Sequence, residues 1–140
     1  MYIKQLSVFV ENKHGRLAEI TTIIANAGID IRALSISDTT DFGILRLIVD
    51  KPNEAVSHLK AEGLTVSLTD VIAVGIPDKP GGIAKTLSAI AATDVGVEYV
   101  YECVARNADH AYFVMRVADN EKAVAALKAH GCDIIDGDRL

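Results

Sequence analysis

One pattern returns after 66 residues and takes up almost the whole 140-residue chain. The stretch Val8-Phe9-Val10-Glu11-Asn12-Lys13-His14-Gly15-Arg16-Leu17-Ala18 comes back as Val74-Gly75-Ile76-Pro77-Asp78-Lys79-Pro80-Gly81-Gly82-Ile83-Ala84. Each copy reads as an apolar strand, a polar turn closing on glycine, and an amphipathic helix. A repeat of this reach leaves no room for a separate catalytic domain. It reduces the question of function to one loop used twice. A unit of half this length buries little of its own surface, so each half is expected to pack on the other or on a second copy of the chain.

The order of patterns is the same in both halves. Ile3 to Val10 reads as a strand with Leu6, Val8 and Val10 on one face, and Arg16 to Ala27 as a helix carrying Leu17, Ile20, Ile23, Ile24 and Ala27 inward. Strands follow over Ile29–Ser37 and Phe42–Val49, joined by a turn at Asp38–Asp41. A helix over about 53–62 carries Ala55, Val56 and Leu59, and a strand over 64–68 closes the half. The second half gives a strand over 71–76 and a helix over 82–92 with Ile83, Leu87, Ile90 and Ala91 inward. A hairpin of 95–104 with 111–118 turns at Arg106–His110; a helix over 121–129 and a strand over 132–135 complete it. Each half is thus β-α-β-β-α-β, the split βαβ or ferredoxin-like arrangement with an antiparallel sheet and both helices on one face. The expected class is α+β, with units at 1–69 and 70–140 separated only by Thr69-Asp70.

Composition excludes several roles. The net charge is −5 and no run of five basic residues occurs, which argues against nucleic acid and against an anionic membrane surface. The βαββαβ order is shared with RNA-recognition sheets, but their stacking motif and basic surface are missing. No apolar run is long enough to span a bilayer, and no signal-peptide pattern precedes the first strand. Cys103 and Cys132 lack CxxC spacing and read as buried thiols of a cytoplasmic protein. His14, His58, His110 and His130 lie far apart without metal-ligand spacing. No catalytic constellation, metal site or cofactor motif is found. Tyr99 and Tyr101 alternate on one strand and are expected to pack at an interface, whereas the adjacent Tyr112 and Phe113 point to opposite sheet faces.

The strand-to-helix turn is the place for chemistry. A helix N-terminus offers unpaired N–H groups and the positive end of the macrodipole to a carboxylate. A neighbouring Asn or Asp can accept from an ammonium, so the loop has a partner for each charged group of a free amino acid. The same residues could equally serve Asx-turns and tight turns with no ligand.

Asp78-Lys79-Pro80-Gly81-Gly82-Ile83-Ala84, followed by Val95-Gly96-Val97-Glu98-Tyr99-Val100-Tyr101, resembles the ACT domain, and the resemblance extends from about Ile3 to Ile135 in both halves. It implies two fused ACT units that bind an amino acid as a regulatory effector. The implied site uses the loop and the start of the second strand, at an interface between two units. By position it assigns Asn12, His14, Gly15, Arg16 and Leu17 to the first loop, with Asp30 and Ile31 on the second strand. In the second loop it assigns Asp78, Gly81, Gly82 and Ile83. Gly96 stands where a polar partner is expected and Pro80 replaces His14, so the two loops differ and the first supplies more side chains. The reading is a non-catalytic, cytoplasmic, homodimeric regulator that acts on a separate protein partner. The alternatives are an assembly module working through sheet edges without a ligand and, more remotely, a small enzyme in an inter-unit cleft.

Overall fold

A computed structural model describes residues 2–38, 41–104 and 109–140. The elements in order are β1 (Ile3–Glu11), α1 (Arg16–Asn26), β2 (Ile31–Asp38), β3 (Phe42–Val49), α2 (Pro52–Ala61) and β4 (Val66–Pro77). They continue with α3 (Gly82–Ala91), β5 (Val97–Cys103), β6 (His110–Val117), α4 (Asn120–Ala129), β7 (Asp133–Ile135) and a 3-10 turn at Gly137–Arg139. The chain forms two compact units, Lys4–Thr69 and Asp70–Leu140, the latter joined by Tyr2 and Ile3. The turns expected at Asp38–Asp41 and Arg106–His110 lie partly outside the described residues.

In the unit Lys4–Thr69 the strands run in the order β2-β3-β1-β4, with β2 at the edge. β1 and β2 both pair antiparallel with β3, and Phe9 N–H reaches Thr65 O at 3.0 Å. Alternation sends Leu6, Val8 and Val10 of β1 and Leu45, Leu47 and Val49 of β3 to one face, where Ile20 and Ile24 of α1 and Ala55 and Leu59 of α2 cover them. The unit Asp70–Leu140 repeats this plan. β5 pairs β6, and β6 and β7 flank the second stretch of β4. Ile72, Val74, Met115 and Val117 pack beneath Ala89 and Ile90 of α3 and Val124 and Leu127 of α4. Both units are ferredoxin-like, and the fold is α+β as the pattern predicts.

Three details differ from the sequence reading. The two strand patterns around Thr69-Asp70 form one uninterrupted strand, β4, of 12 residues. Thr69 and Asp70 sit half-buried inside it, ahead of the fully buried run Val71 to Ile76. Leu17, placed inward by its spacing, is 37% exposed in the first turn of α1. On α3 the buried positions are Thr86, Ala89 and Ile90, and Ala91 faces out. Tyr112 and Phe113 take opposite faces as expected. Phe113 packs on the helix-side core, while Tyr112 is buried beside Val114 and Ile135 on the other.

Candidate functional site

The two strand-to-helix loops are built by the same hydrogen bonds. Lys13 N–H donates to Glu11 O at 2.8 Å and Lys79 N–H to Pro77 O at 2.8 Å. Arg16 N–H donates to Lys13 O at 3.2 Å and Gly82 N–H to Lys79 O at 3.1 Å. Asn12 N–H is tied to Asp41 O and Asp78 N–H to Asp109 O, so each loop is anchored to the β-hairpin beside it. Gly15 and Gly81 then enter the helices at φ 77° and 88°, a left-handed conformation that favours glycine at both positions. Neither helix has a side-chain cap. The N–H groups of Leu17 and Ala18, and of Ile83 and Ala84, have no acceptor among the described residues. Each loop therefore presents a pair of helix amides able to hold an anion.

Side chains make the loops different. Around the first, Lys13 lies 2.6 Å from Glu11 and Arg16 lies 3.0 Å from Glu19. The hydrogen bond from Lys13, then its charge, holds the Glu11 carboxyl below the usual carboxylate range. A small hollow of about 70 Å³ opens on the β2 side, walled by Val10, Asn12, Leu17, Ile36 and Gly43. His14 lines a shallower hollow of about 330 Å³ on the outer side with Glu11, Lys13, Arg16 and Glu19. The second loop borders a larger cleft of about 410 Å³, reached by Lys79, Lys85, His110, His130 and Asp133. At its floor Gly82 is tightly packed: a Cβ there would meet Pro77 O at 2.6 Å and Ile76 Cγ2 at 2.7 Å.

The expected residues group unevenly. Asn12, Arg16 and Leu17 converge on one hollow, and Gly81 and Gly82 on the other. Asp78 is exposed at the loop and does not line the cleft. Asp30 and Ile31 lie elsewhere. Asp30 N–H donates to the Asp50 carboxylate at 2.9 Å, and its own carboxylate pairs with Arg32 at 3.2 Å. Ile31 pairs with Val49, whereas Asn12 adjoins Asp41 just ahead of Phe42. The seven steps of β3 between those ends, at about 3.3 Å each, put Asp30 roughly 23 Å from Asn12. Asn12 and Asp30 of one unit cannot hold the same small molecule.

Sequence reasoning passed over Lys79, Lys85, His110 and His130. A comparison of the copies would have found the change: Lys85 stands where the first copy has Glu19, and His110 where it has Phe42. Cys103 is buried beside Tyr112 on the helix-free face, while Cys132 packs against the helix-side core, and the two are not joined in a disulfide. Among the described residues no group of three or more His, Cys, Asp or Glu side chains is placed to hold a metal ion. No helix there is long and apolar enough to cross a membrane.

Comparison with known proteins gives the family. Protein BT0572 from Bacteroides thetaiotaomicron is 39% identical, with a TM-score of 0.92 over 99% of this chain and 95% of that one. The regulatory subunit of aspartate kinase from Thermus thermophilus is 20% identical, with a TM-score of 0.65 over 91% of each chain. Aspartokinase alpha and beta subunits give 13% identity and a TM-score of 0.60 over 91% of this chain and 92% of that one. The last two speak for the fold alone. No curated protein matches the chain. The family model of the ACT domain pair matches residues 1–140, and the chain belongs to that family.

Proposed function

We propose that this ACT domain pair is a non-catalytic regulator that binds a free amino acid at its first strand-to-helix loop. The observation that carries the reading is the pair of unclaimed amides at Leu17 and Ala18 beside Asn12. The amides suit the α-carboxylate and the Asn12 side-chain oxygen suits the ammonium. Leu17 and Ile36 give the hollow an apolar wall. The second loop, with Asp78, Gly81, Gly82 and Ile83, has the same backbone and fewer side chains to offer an ammonium.

A hollow of about 70 Å³ is too small to enclose an amino acid, so the remaining wall comes from a second copy of the chain. β2 supports this, because it is a sheet edge with Leu34 and Ile36 47% and 48% exposed. In such a homodimer Asp30 of one copy reaches the Asn12 loop of the other. Ligand that binds the paired arrangement more tightly shifts the chain toward it, and a separate protein reads the shift. In Thermus thermophilus a chain of this fold is the regulatory subunit of aspartate kinase. Cys103 and Cys132, on opposite faces of one sheet, are not placed to form a disulfide, which fits a reducing cytoplasm.

The test is a thermal-shift screen of the twenty amino acids, followed by Asn12→Ala. At about 100 times its Kd a ligand adds about 2.7 kcal/mol, a rise of several degrees for a chain this size. One amino acid is expected to give it, and Asn12→Ala to remove it. The competing reading, an assembly module without a ligand, also has the exposed Leu34 and Ile36 in its favour. It predicts a flat screen in a chain that still dimerises.

A further inference from the structure

The corner where α1 starts beside β2 and β3 is built differently in the two units, and strand register gives the correspondence. Val10 pairs with Gly43 as Ile76 pairs with Ala111, and Val8 with Leu45 as Val74 with Phe113. Ile36 meets Leu45 as Glu102 meets Phe113. The second unit thus has Ala111 where the first has Gly43, and Phe113 where it has Leu45. Phenylalanine carries three more side-chain carbons than leucine, and alanine one more than glycine, so the first unit lacks four carbons here. The helix residue alongside differs in step. Ile83 and Phe113 both pack against the helix-side core of their unit, whereas Leu17, the counterpart of Ile83, is 37% exposed and lines a hollow of about 70 Å³.

The walls of that hollow decide what fits. Val10, Leu17 and Ile36 are aliphatic, and Gly43 adds no side chain to the space. The charged groups beside them are already matched, Lys13 with Glu11 at 2.6 Å and Arg16 with Glu19 at 3.0 Å. An ionised side chain entering the hollow would have to break one of these pairs or lie uncompensated on apolar wall. A space of about 70 Å³ takes a few methyl-sized groups, while a benzene ring needs a cavity of about 150 Å³.

We infer that the effector of the first loop is an amino acid with a branched aliphatic side chain, of the size of valine, leucine or isoleucine. Its side chain takes the space that matches the four extra carbons of Ala111 and Phe113, against Val10, Leu17 and Ile36. Gly43 sets the depth of the hollow and with it the length of side chain accepted. The assignment rests on the amino-acid reading of the first loop and adds the class of side chain, which the apolar hollow carries and the helix amides do not.

The test is calorimetric titration of the full chain with leucine, isoleucine and valine, and with alanine, serine, phenylalanine, histidine, aspartate and lysine. The tightest of the branched set should bind about tenfold or more tighter than alanine, because one missing carbon in an apolar pocket already costs about that factor. The aromatic, hydroxyl and charged ligands should also fall below it. Gly43→Ala copies the second unit and makes the hollow shallower. It should weaken leucine and isoleucine about tenfold or more and valine less, moving the preference to the smaller side chain, whereas Asn12→Ala should weaken all three alike. Should Gly43→Ala fail to fold, the order of ligands on the unaltered chain decides alone. The assignment is overturned if the tightest ligand is charged, aromatic or hydroxylated, or if Gly43→Ala weakens leucine and valine equally. Where Asn12→Ala removes such a ligand, the amino-acid reading stands and the aliphatic assignment alone falls. If none of the twenty amino acids binds, both fall.

Discussion

At the scale of single residues, positions 16 and 82 show how one backbone supports two surfaces. The first copy carries Arg16 at this point, whereas a Cβ at Gly82 would press on the Pro77 carbonyl at 2.6 Å. Gly82→Ala should therefore cost about 1–3 kcal/mol in chemical denaturation and shift the Ile83 amide. A change within a few tenths of a kcal/mol would show that the loop relaxes freely. Asp133 gives a second residue-level prediction. Hydrogen bonds from Arg139 hold its carboxyl below the usual carboxylate range, burial works the other way, and the charges of Arg139 and His110 add to the lowering. A lowered native value means the unfolded chain takes up the proton first. The stability from this pair is thus complete above about pH 4, the usual carboxylate value, and fades as pH falls through the native one. Arg139→Ala should reduce the acid-side loss of stability below about pH 4. An unchanged pH profile would mean the pair contributes nothing to it.

Elements show what the chain made legible. The 66-residue offset carries over to hydrogen bonds: Lys13 and Lys79, Arg16 and Gly82, and Glu19 and Lys85 all make matching backbone contacts. Alternation in β1, β3, β4 and β6 gave the helix-side cores of both units. The separation of Asn12 from Asp30 was legible too. A helix leaving the end of β1 returns the chain to the opposite end of the sheet before β2 begins. Long-range pairs were not legible, because nothing local specifies them. The turn at Gly137–Arg139, which sets Arg139 on Asp133 and leaves Leu140 5% exposed, is of this kind. Exposure at an element's end is similar: Leu17 fits the helical period yet stays 37% exposed in the first turn of α1. Among the described residues only α4 has a side-chain acceptor at its N-cap, Asp119, which takes the Lys122 N–H at 3.1 Å. Asp119→Ala should cost about 1 kcal/mol, measured by thermal unfolding. A neutral result would mean water replaces the cap without loss.

For the whole molecule, the repeat separates what is kept from what diverges. Backbone geometry is kept in both loops, and charge is not. The first loop pairs its cations internally and borders an exposed apolar edge, where we propose that a second chain completes the site. The second loop has no carboxylate on Lys79 or Lys85 among the described residues and borders a larger cleft. Ligand at the first loop should thus be linked to dimerisation, with the saturating amino acid lowering the dimer dissociation constant. The most direct test exploits the distance between Asn12 and Asp30. Asn12→Ala and Asp30→Ala chains, each unable to bind the amino acid alone, are mixed and titrated by calorimetry. The account predicts that mixing restores part of the binding, because a mixed dimer rebuilds one intact site from two damaged chains. If the mixture binds no more than its components, or if Asp30→Ala binds normally by itself, the shared site is contradicted.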